Sequence, residues 1–423
     1  MSALYCGVDF GTTNSTVGVC EEGGAPALVP LEGEEGTIPS ALFFSLDGGG
    51  VSFGRDSVSR YMNSAEGRFM RALKSILGTG LMEETTLVGR DRLTFQRIIG
   101  RFLGHLRRRI EAAHGEVPRK VVFGRPVRFV DDDDAADRRA QDQLETAAHA
   151  EGFGHVEFQF EPVAAALHIE HMLSDETLAL VVDIGGGTSD FSILRLSPQR
   201  ARNVDRAGDI LGTSGVHVGG TDFDRQLSIA HVMPHFGLGT RTLDGKRHLP
   251  VWYFNDMATW HRINRLYTGA TLRDIRSLMR EAAEPAKLER YLHLLEHRSG
   301  HRLAAHIEAA KIALTDAPAT EIHFSEPGLD FIHPVTRTEF EATAHELVQR
   351  IDSAIGKVLR LAGVEARDIE TVILTGGGAQ VPLVQAAATA RFPHAQTPAS
   401  DQFGSVGMGL ALDARRRFGH AGC

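Results

Sequence analysis

Cysteine is scarce in this sequence: among 423 residues only Cys6, Cys20 and Cys423 carry a thiol, and no two form a CxxC pair. So sparse and odd a set argues against a disulfide framework and suits a reducing compartment. A basic excess is also lacking. Lys and Arg number 45 against 54 Asp and Glu, a net charge of −9, which argues against a nucleic-acid partner, since such domains are usually basic. No apolar run approaches the roughly 18 residues of a membrane span. The opening MSALYCGVDF has no basic stretch, so no signal peptide is expected. Low-complexity linkers are missing. The expectation is a cytoplasmic, multi-domain, monomeric protein with no membrane partner. With 42% hydrophobic and 23% charged residues, the composition is that of an ordinary globular chain, long enough for its core to split in two.

What the sequence does contain is a repeated loop. Leu178 to Leu194 reads LALVVDIGGGTSDFSIL: an apolar strand, Asp183, the glycines Gly185, Gly186 and Gly187, Thr188, and a second apolar strand. Three glycines let backbone N–H groups approach a ligand without a Cβ in the way, and N–H groups gathered into one concavity make an anion site. An acid beside an anion site implies a divalent cation between them, as where Mg²⁺ is held by one or two carboxylates and substrate phosphates. The N-terminal YCGVDFGTTNSTVGVC repeats the pattern, with Asp9 before Gly11, Thr12 and Thr13. Aligned on the acids, VDFGTTNSTVGV matches VDIGGGTSDFSI, which indicates two similar halves, each with a phosphate loop.

Along the rest of the chain, Ser57 to Leu77 reads as helical in parts and carries Lys74. Leu93 to Ala113 reads as an amphipathic helix with Ile99, Phe102, Leu106 and Ile110 on its apolar stripe. Lys120 to Phe123 is a strand leading to Pro126, and Asp131 to Asp134 cap the next helix. Phe158 to Pro162 ends a strand at Glu161, and the Ala-rich helix behind it is a candidate connector between halves. Asn203 to Leu211 reads as a strand. Gly219-Gly220 then breaks the chain before a helix capped by Thr221 or Asp222. The Trp-, His- and Arg-bearing stretch from Met233 to Arg302 reads as mainly helical and inserted into the second half. In the helix from Arg302 to Leu314, Leu303, Ile307, Ala310 and Leu314 share one face, with Glu308, Lys311 and Thr315 opposite. Thr371 to Leu374 is a strand entering Gly376-Gly377-Gly378, and Pro382 opens the next helix.

From residue chemistry alone, the matched pair Asp9 and Asp183 points to metal–phosphate handling, with Thr12, Thr13 and Thr188 as hydroxyl donors. Turn capping is the plain alternative for either Asp by itself. Glu161 is equally a water-orienting carboxylate or a helix-start acid, and Lys74 alone reads as a surface lysine that could reach a phosphate. His293, His297 and His301 recur every four residues, but no carboxylate or cysteine completes a zinc set and Gly300 interrupts it. Cys6 and Cys20 read as small buried hydrophobes.

Taken in order, VDFGTTNSTVGV, FEPVAAALHIE, VVDIGGGTSDFSI, VGGTDFD, EAAKIALT and ILTGGGAQVP resemble the ATPase domain of the heat-shock protein 70 (DnaK-type) chaperones, in the actin-like ATPase superfamily. VVFGRPVRF and DQFGSVGMGLA are closest to the short YegD-type chaperone-like proteins that lack a substrate-binding domain. The resemblance implies an α/β actin-like ATPase fold of two lobes, each a ribonuclease-H-like mixed sheet with flanking helices, and ATP or ADP with Mg²⁺ in the cleft. The first lobe would span 1–175, with 400–423 returning to it. The second would span 176–399, with an inserted subdomain at about 225–305. By position, Asp9 and Asp183 arrange the metal, while Gly11, Thr12, Thr13, Asn14, Gly185, Gly186, Gly187 and Thr188 hold phosphates. Lys74, Glu161 and Asp190 position the attacking water, and Pro126 couples the lobes. Gly219 and Gly220 also bind the nucleotide, and Glu308, Lys311, Thr315, Gly376, Gly377, Gln380 and Asp401 line the adenosine side.

There are departures from that pattern. Gln380 stands where the chaperones place an arginine that stacks on adenine, Met233 to His301 matches poorly, and no peptide-binding segment is recognisable. The implied activity is slow Mg-dependent ATP hydrolysis, with protein clients or co-chaperones as partners. The alternatives are a bacterial actin-like scaffold and a small-molecule kinase of the same superfamily. A dinucleotide oxidoreductase is not expected, because no glycine cluster after a strand has G-x-G-x-x-G spacing.

Overall fold

The computed structural model describes residues 3–46, 50–63, 65–88, 91–116, 118–130, 133–170, 173–398 and 404–419. Two sheets organise them. In the first, β1 (Leu4–Phe10) and β2 (Asn14–Glu21) form an antiparallel hairpin, extended by β3 (Ala27–Leu28) and β4 (Thr37–Pro39) on β2. On the other edge, β5 (Lys120–Arg125) pairs parallel to β1, and β6 (His155–Phe160) parallel to β5. In the second sheet, β7 (Thr177–Ile184) and β8 (Ser189–Leu196) form the same kind of hairpin. Here β9 (Ile210–Val216) is antiparallel to β8, and β10 (Thr371–Thr375) is parallel to β7. The repeat seen in the sequence is thus a repeat of topology: hairpin, tight loop, and a later strand laid parallel on the first.

These strands are nearly continuous apolar runs because helices cover both faces. The first core joins Val8, Phe10 and Phe123 to Phe102 and Leu106 of α1 (Phe95–His114) and Leu144 of α2 (Asp134–Ala150). A separate second core joins Leu180, Phe191 and Leu374 to Phe223 of α4 (Gly220–Leu227), Ile307 of α5 (Gly300–Asp316) and Ile351 of α6 (Arg337–Ala362). Between them lies a third cluster built on α3 (Glu161–Glu170) and, after α7 (Pro382–Thr389), on α8 (Ser405–Phe418). It contacts β5 at Val122, β7 at Val181 and β10 at Ile373. The small residues read as a connector make this crossing close: a Cβ on Gly409 would stand 1.9 Å from the Ala164 carbonyl oxygen.

Two local readings are corrected and one is filled in. Ser57–Leu77 is helical only in parts, as read. A helix over Gly54–Met62 gives way to a strand, Gly67–Arg71, paired with Ala41–Ser45, and then to a 3₁₀ turn over Leu73–Ile76. Strand pairing overrides local propensity here, and Ala72, at φ +57°, makes the break. The strand read at Asn203–Leu211 is a loop and one 3₁₀ turn, Ala207–Asp209, leading into β9 at Ile210. Arg206 forbids an extended path by folding back onto Asp209 and Glu170, all three buried. The residue preceding α4 is Gly219, whose N–H donates to the Asp222 carboxylate at 2.9 Å, so Asp222 serves the helix from inside its first turn.

Other readings hold. Asp133 caps α2 through the N–H groups of Ala135 and Ala136, while Asp131 lies outside the described residues. The stretch from Met233 to Arg302 is helical over Trp252–Met257, Gly269–Glu281 and Pro285–Glu296, and it buries Tyr253, Phe254, Leu288 and Tyr291 in the second core. Cys6 and Cys20 are free and buried. Among the described residues, no helix is long and apolar enough to cross a membrane.

Candidate functional site

The two loops face each other across a cleft. In β1, Asp9 sits opposite Thr16, and in β7, Asp183 sits opposite Asp190 on one side and Thr375 on the other. Thr12 and Thr13 are exposed at the tip of the first loop, as are Gly187 and Thr188 on the second. The loops approach closely: a Cβ on Gly186 would lie 2.3 Å from Thr13 Oγ1. The first turn is shut by backbone, since a Cβ on Gly11 would meet the Asn14 carbonyl oxygen at 2.0 Å. The second is braced by the start of α4. Gly220 N–H donates to Gly185 O at 2.9 Å, and Thr221 donates to Gly186 O at 2.8 Å through both N–H and Oγ1. The result is a cradle whose open positions, such as Gly187, have no atom within 4 Å of an added Cβ.

The floor of the cleft collects negative charge. Lys74 is buried there, contrary to the surface position read from residue chemistry alone, and its Nζ donates to Glu161 Oε1 at 2.5 Å. Burial would weaken its proton affinity, but Glu161, Asp9 and Asp183 outweigh that and raise its pKa. The Asp9 carboxyl is pushed up to about 8 by burial and by repulsion from Glu161, with Lys74 opposing and Asp183 adding. Asp183 is also raised, by burial and by Glu161. Thr375 Oγ1 turns toward it and opposes the shift, but its geometry falls short of a hydrogen bond. Asp190 is pushed up to about 7 by burial, then by Asp183 and Glu161. It lies on the rim where water reaches it, so the neighbouring charges are the more durable cause. Thr188 Oγ1 donates to Asp190 at 3.3 Å.

The third wall comes from α5 and the turn after β10. Lys311 Nζ lies 2.8 Å from Asp224 Oδ1 and donates to Gly220 O at 3.2 Å, tying the α5 face to the glycine loop. Glu308 is exposed and Thr315 half-buried on that face. Gly376 has φ +80°, and a Cβ there would lie 2.4 Å from Ile184 O and 2.7 Å from Asp183 Oδ1, so the turn presses on the acid. Gly377 is exposed and Gln380 half-buried beyond it. Asp401 lies outside the described residues. Pro126 follows β5, its carbonyl held by Arg125 Nε at 3.1 Å.

Some residues at the cleft mouth were not singled out from the sequence. Tyr61 OH, from the first half, accepts from Asn264 Nδ2 at 2.6 Å and meets His301 Nε2 at 3.0 Å. The Arg71 guanidinium lies 4.9 Å from the Trp260 ring centroid, and Glu308, Tyr61 and Asp224 offset part of its desolvation. Asp224, pushed up to about 6 by burial, completes the set. The only sequence signal for them was an Arg–aromatic content without periodicity. His293, His297 and His301 do not converge. His293 stacks on His297 at 4.0 Å, and His301 is buried beside Tyr61 and Trp260.

The arrangement suits Mg²⁺. Asp9 and Asp183 are under-compensated carboxylates beside an open cradle of N–H and hydroxyl groups, and a hydrated Mg²⁺ needs only one or two carboxylates from the protein. Among the described residues, no group of three or more His, Cys, Asp or Glu side chains forms a self-sufficient metal cage, which is consistent with a cation shared with phosphates.

A family profile described as Hsp70 protein matches residues 5–248 and 277–419. The unmatched interior, 249–276, lies within the poorly matching stretch read from the sequence and is narrower than it. The match spans both sheets, both loops, Lys74, Glu161 and the α5 face, and the mixed α/β architecture fits the two-lobe actin-like ATPase fold. The chain belongs to the Hsp70 protein family.

Proposed function

We propose that this protein is a slow, Mg²⁺-dependent ATP hydrolase of the chaperone type. The observation that carries the reading is the apposition of two Asp–Gly–Thr loops, Thr13 against Gly186, over the buried Lys74–Glu161 pair. Phosphoryl transfer asks of a protein mainly positioning and electrostatic stabilisation, and each part has a candidate. Thr12, Thr13, Thr188 and the N–H groups of Gly186 and Gly187 cradle phosphates, with Gly185, whose own N–H is held by Thr188 O, closing the second turn, Gly11 and Asn14 shaping the first, and Gly219 and Gly220 bracing the second. Asp9 and Asp183 hold Mg²⁺, whose chemistry when bound is neutralisation of phosphate charge. Lys74 presents a fixed cation, and Glu161 and Asp190 accept hydrogen bonds from the attacking water. Asp190, with a pKa of about 7, is suited to exchange a proton near neutrality. Glu308, Lys311, Thr315, Gly376, Gly377 and Gln380 face the adenosine.

The lobes follow the cores. Residues 1–175 with 400–423 make one lobe, and 176–399 make the other, with the insertion at about 225–305 forming one side of the cleft mouth. This division is supported by the separate clusters around Phe123 and Phe191. Clients or co-chaperones are the partners the family suggests. The test is single-turnover ATP hydrolysis with and without Mg²⁺, beside thermal shifts with ATP and with ADP. Mg²⁺-dependent cleavage of ATP by the wild-type chain, with distinct shifts for the two nucleotides, is expected. Absence of cleavage in the presence of Mg²⁺ would overturn the reading.

A further inference from the structure

A cavity of about 270 Å³ lies at the cleft mouth, and no residue of the two glycine loops lines it. One wall is the strand Gly67–Arg71 with the 3₁₀ turn Leu73–Ile76, and the other is Trp260 and Asn264 of the 3₁₀ stretch Trp260–Leu266. Tyr61 OH, accepting from Asn264 Nδ2 at 2.6 Å, ties the two walls together. Leu73 and Ile76 border the cavity while Lys74, between them, turns to Glu161. The cavity and the cleft floor are thus separate places that share one turn. Trp260 and Asn264 fall in 249–276, which the Hsp70 profile does not match, so this wall stands outside the shared family pattern.

The charge at this cavity has one sign. Arg68 and Arg71 border it, both exposed, and among the described residues neither side chain has an ion pair or a hydrogen bond. Arg71 lies over the Trp260 ring, and Glu308 and Asp224 act on it only from beyond ion-pair distance. No Asp or Glu lines the cavity. A guanidinium stacked on a ring keeps its N–H edge free for an oxyanion. Two such cations with no acid between them suit a dianion better than a single charge. The remaining lining includes Leu73, Ile76 and Phe95, against which a ring gains by leaving water. At roughly 30 Å³ per water in the liquid, the volume is that of about nine waters, enough for one ring and one acidic group and too little to enclose a nucleotide.

We propose that this cavity is a second ligand site, which takes a small aromatic phosphomonoester. The ring lies against Ile76 and Phe95, and the phosphate, with a charge of about −1.5 to −2 near neutral pH, accepts hydrogen bonds from Arg68 and Arg71. The site does not rest on the nucleotide reading, since none of its residues is among those given to phosphate, metal or adenosine.

The experiment titrates phenyl phosphate, inorganic phosphate and benzoate into the full chain by calorimetry, with ADP and Mg²⁺ present and without them. Trp252 and Trp260 are the only tryptophans, so emission in a Trp252→Phe background reports on the cavity. Phenyl phosphate is expected to bind at about 1 mM or tighter, to change Trp260 emission saturably, and to do so equally with ADP and Mg²⁺ present. With ADP and Mg²⁺ present, inorganic phosphate, which lacks the ring, and benzoate, which lacks the second charge, are each expected to bind at least about tenfold more weakly. Arg68→Gln and Arg71→Gln alter exposed side chains, so both variants keep the wild-type melting temperature, and each weakens phenyl phosphate by about tenfold. No saturable binding up to about 10 mM, displacement of phenyl phosphate by ADP, benzoate or inorganic phosphate bound as tightly, or unchanged affinity in Arg71→Gln overturns the assignment. Phenyl phosphate binding as expected in a chain that fails to bind ADP supports the assignment and overturns only the nucleotide reading.

Discussion

Lys74 and Glu161 are joined by a 2.5 Å hydrogen bond although 87 residues separate them in the chain, and the pair lies almost wholly out of water beneath the two glycine loops. An ion pair so placed is weak evidence for stability, because desolvating both charges offsets their attraction. Its value lies in holding one cation still among the carboxylates of Asp9, Asp183 and Glu161. That is the kind of fixed charge that stabilises a phosphoryl-transfer transition state.

Lys74→Ala is expected to keep nucleotide bound and to slow single-turnover ATP hydrolysis by about 10²–10³-fold. Removing only the cation strands Glu161 beside two further acids, at a cost of about 3–5 kcal/mol in stability. The double variant Lys74→Ala, Glu161→Gln should recover much of that stability and none of the activity. Recovery of hydrolysis in the double variant would refute the role given to Lys74.

Asp183→Asn separates folding from chemistry. The Asp183 carboxylate is held in an environment that disfavours its charge, so the neutral amide should leave the melting temperature of the chain alone equal or higher. ATP turnover is expected to fall by at least about 10²-fold, as for loss of a principal electrostatic contact. Mg²⁺ should then add far less to nucleotide affinity, as isothermal titration with and without the cation would record. Wild-type turnover in this variant would exclude the metal role.

Asp9 and Asp183 were legible from the sequence because each loop is local: strand, acid, glycines and threonines are contiguous, and the pattern occurs twice. The two-faced helix α5 was legible for the same reason, its period being written in seventeen consecutive residues. Lys74 was not. Its burial depends on Glu161 arriving from another element and on the strand Gly67–Arg71 being drawn into a sheet by Ala41–Ser45. GRFMR has no alternation strong enough to announce that pairing. Arg71, Asp224 and Tyr61 escaped likewise, since each acquires its meaning from a partner across the cleft. The ion network of Arg206, Glu170 and Asp209 that displaced the strand read at Asn203–Leu211 joins residues 36 and 3 positions apart, and the longer of those separations has no periodic signature.

The glycines near the second loop should not be equivalent. A Cβ on Gly219 would meet the backbone of Gly186 and Gly187 at 2.5 Å, whereas one on Gly187 would meet nothing within 4 Å. Backbone cannot rotate away as a side chain can, so Gly219→Ala has to displace the phosphate cradle itself. An overpacking cost of about 1–3 kcal/mol is expected in Gly219→Ala, together with a loss of ATP affinity of about tenfold or more for that displacement. Gly187→Ala should change stability little. Equal affinities in the two variants, measured by titration at one Mg²⁺ concentration, would show that the loop is not set by its contact with Gly219.

The carboxylates of the cleft predict an unusual dependence of stability on pH. Asp9 at about 8, Asp190 at about 7 and the raised Asp183 all bind protons more tightly in the folded chain than in the unfolded one, where Asp titrates near 3.9. Their contribution to stability is therefore fully present below pH of about 4 and is lost as pH rises through 7 to 8. His105 and His301, both pushed down to about 4 by burial, act in the opposite sense, but only between pH of about 4 and 6.5. The informative window is thus above pH of about 6.5. There the melting temperature of the chain alone should fall with rising pH, and stabilisation by Mg²⁺ with ATP should grow, because the cation replaces the protons that the acids release. Asp9→Asn should flatten the first trend and diminish the second. A melting temperature that rises between pH 6.5 and 8.5 in the wild-type chain would mean that these acids are already ionised in the folded state, and that their charges are balanced without a bound cation.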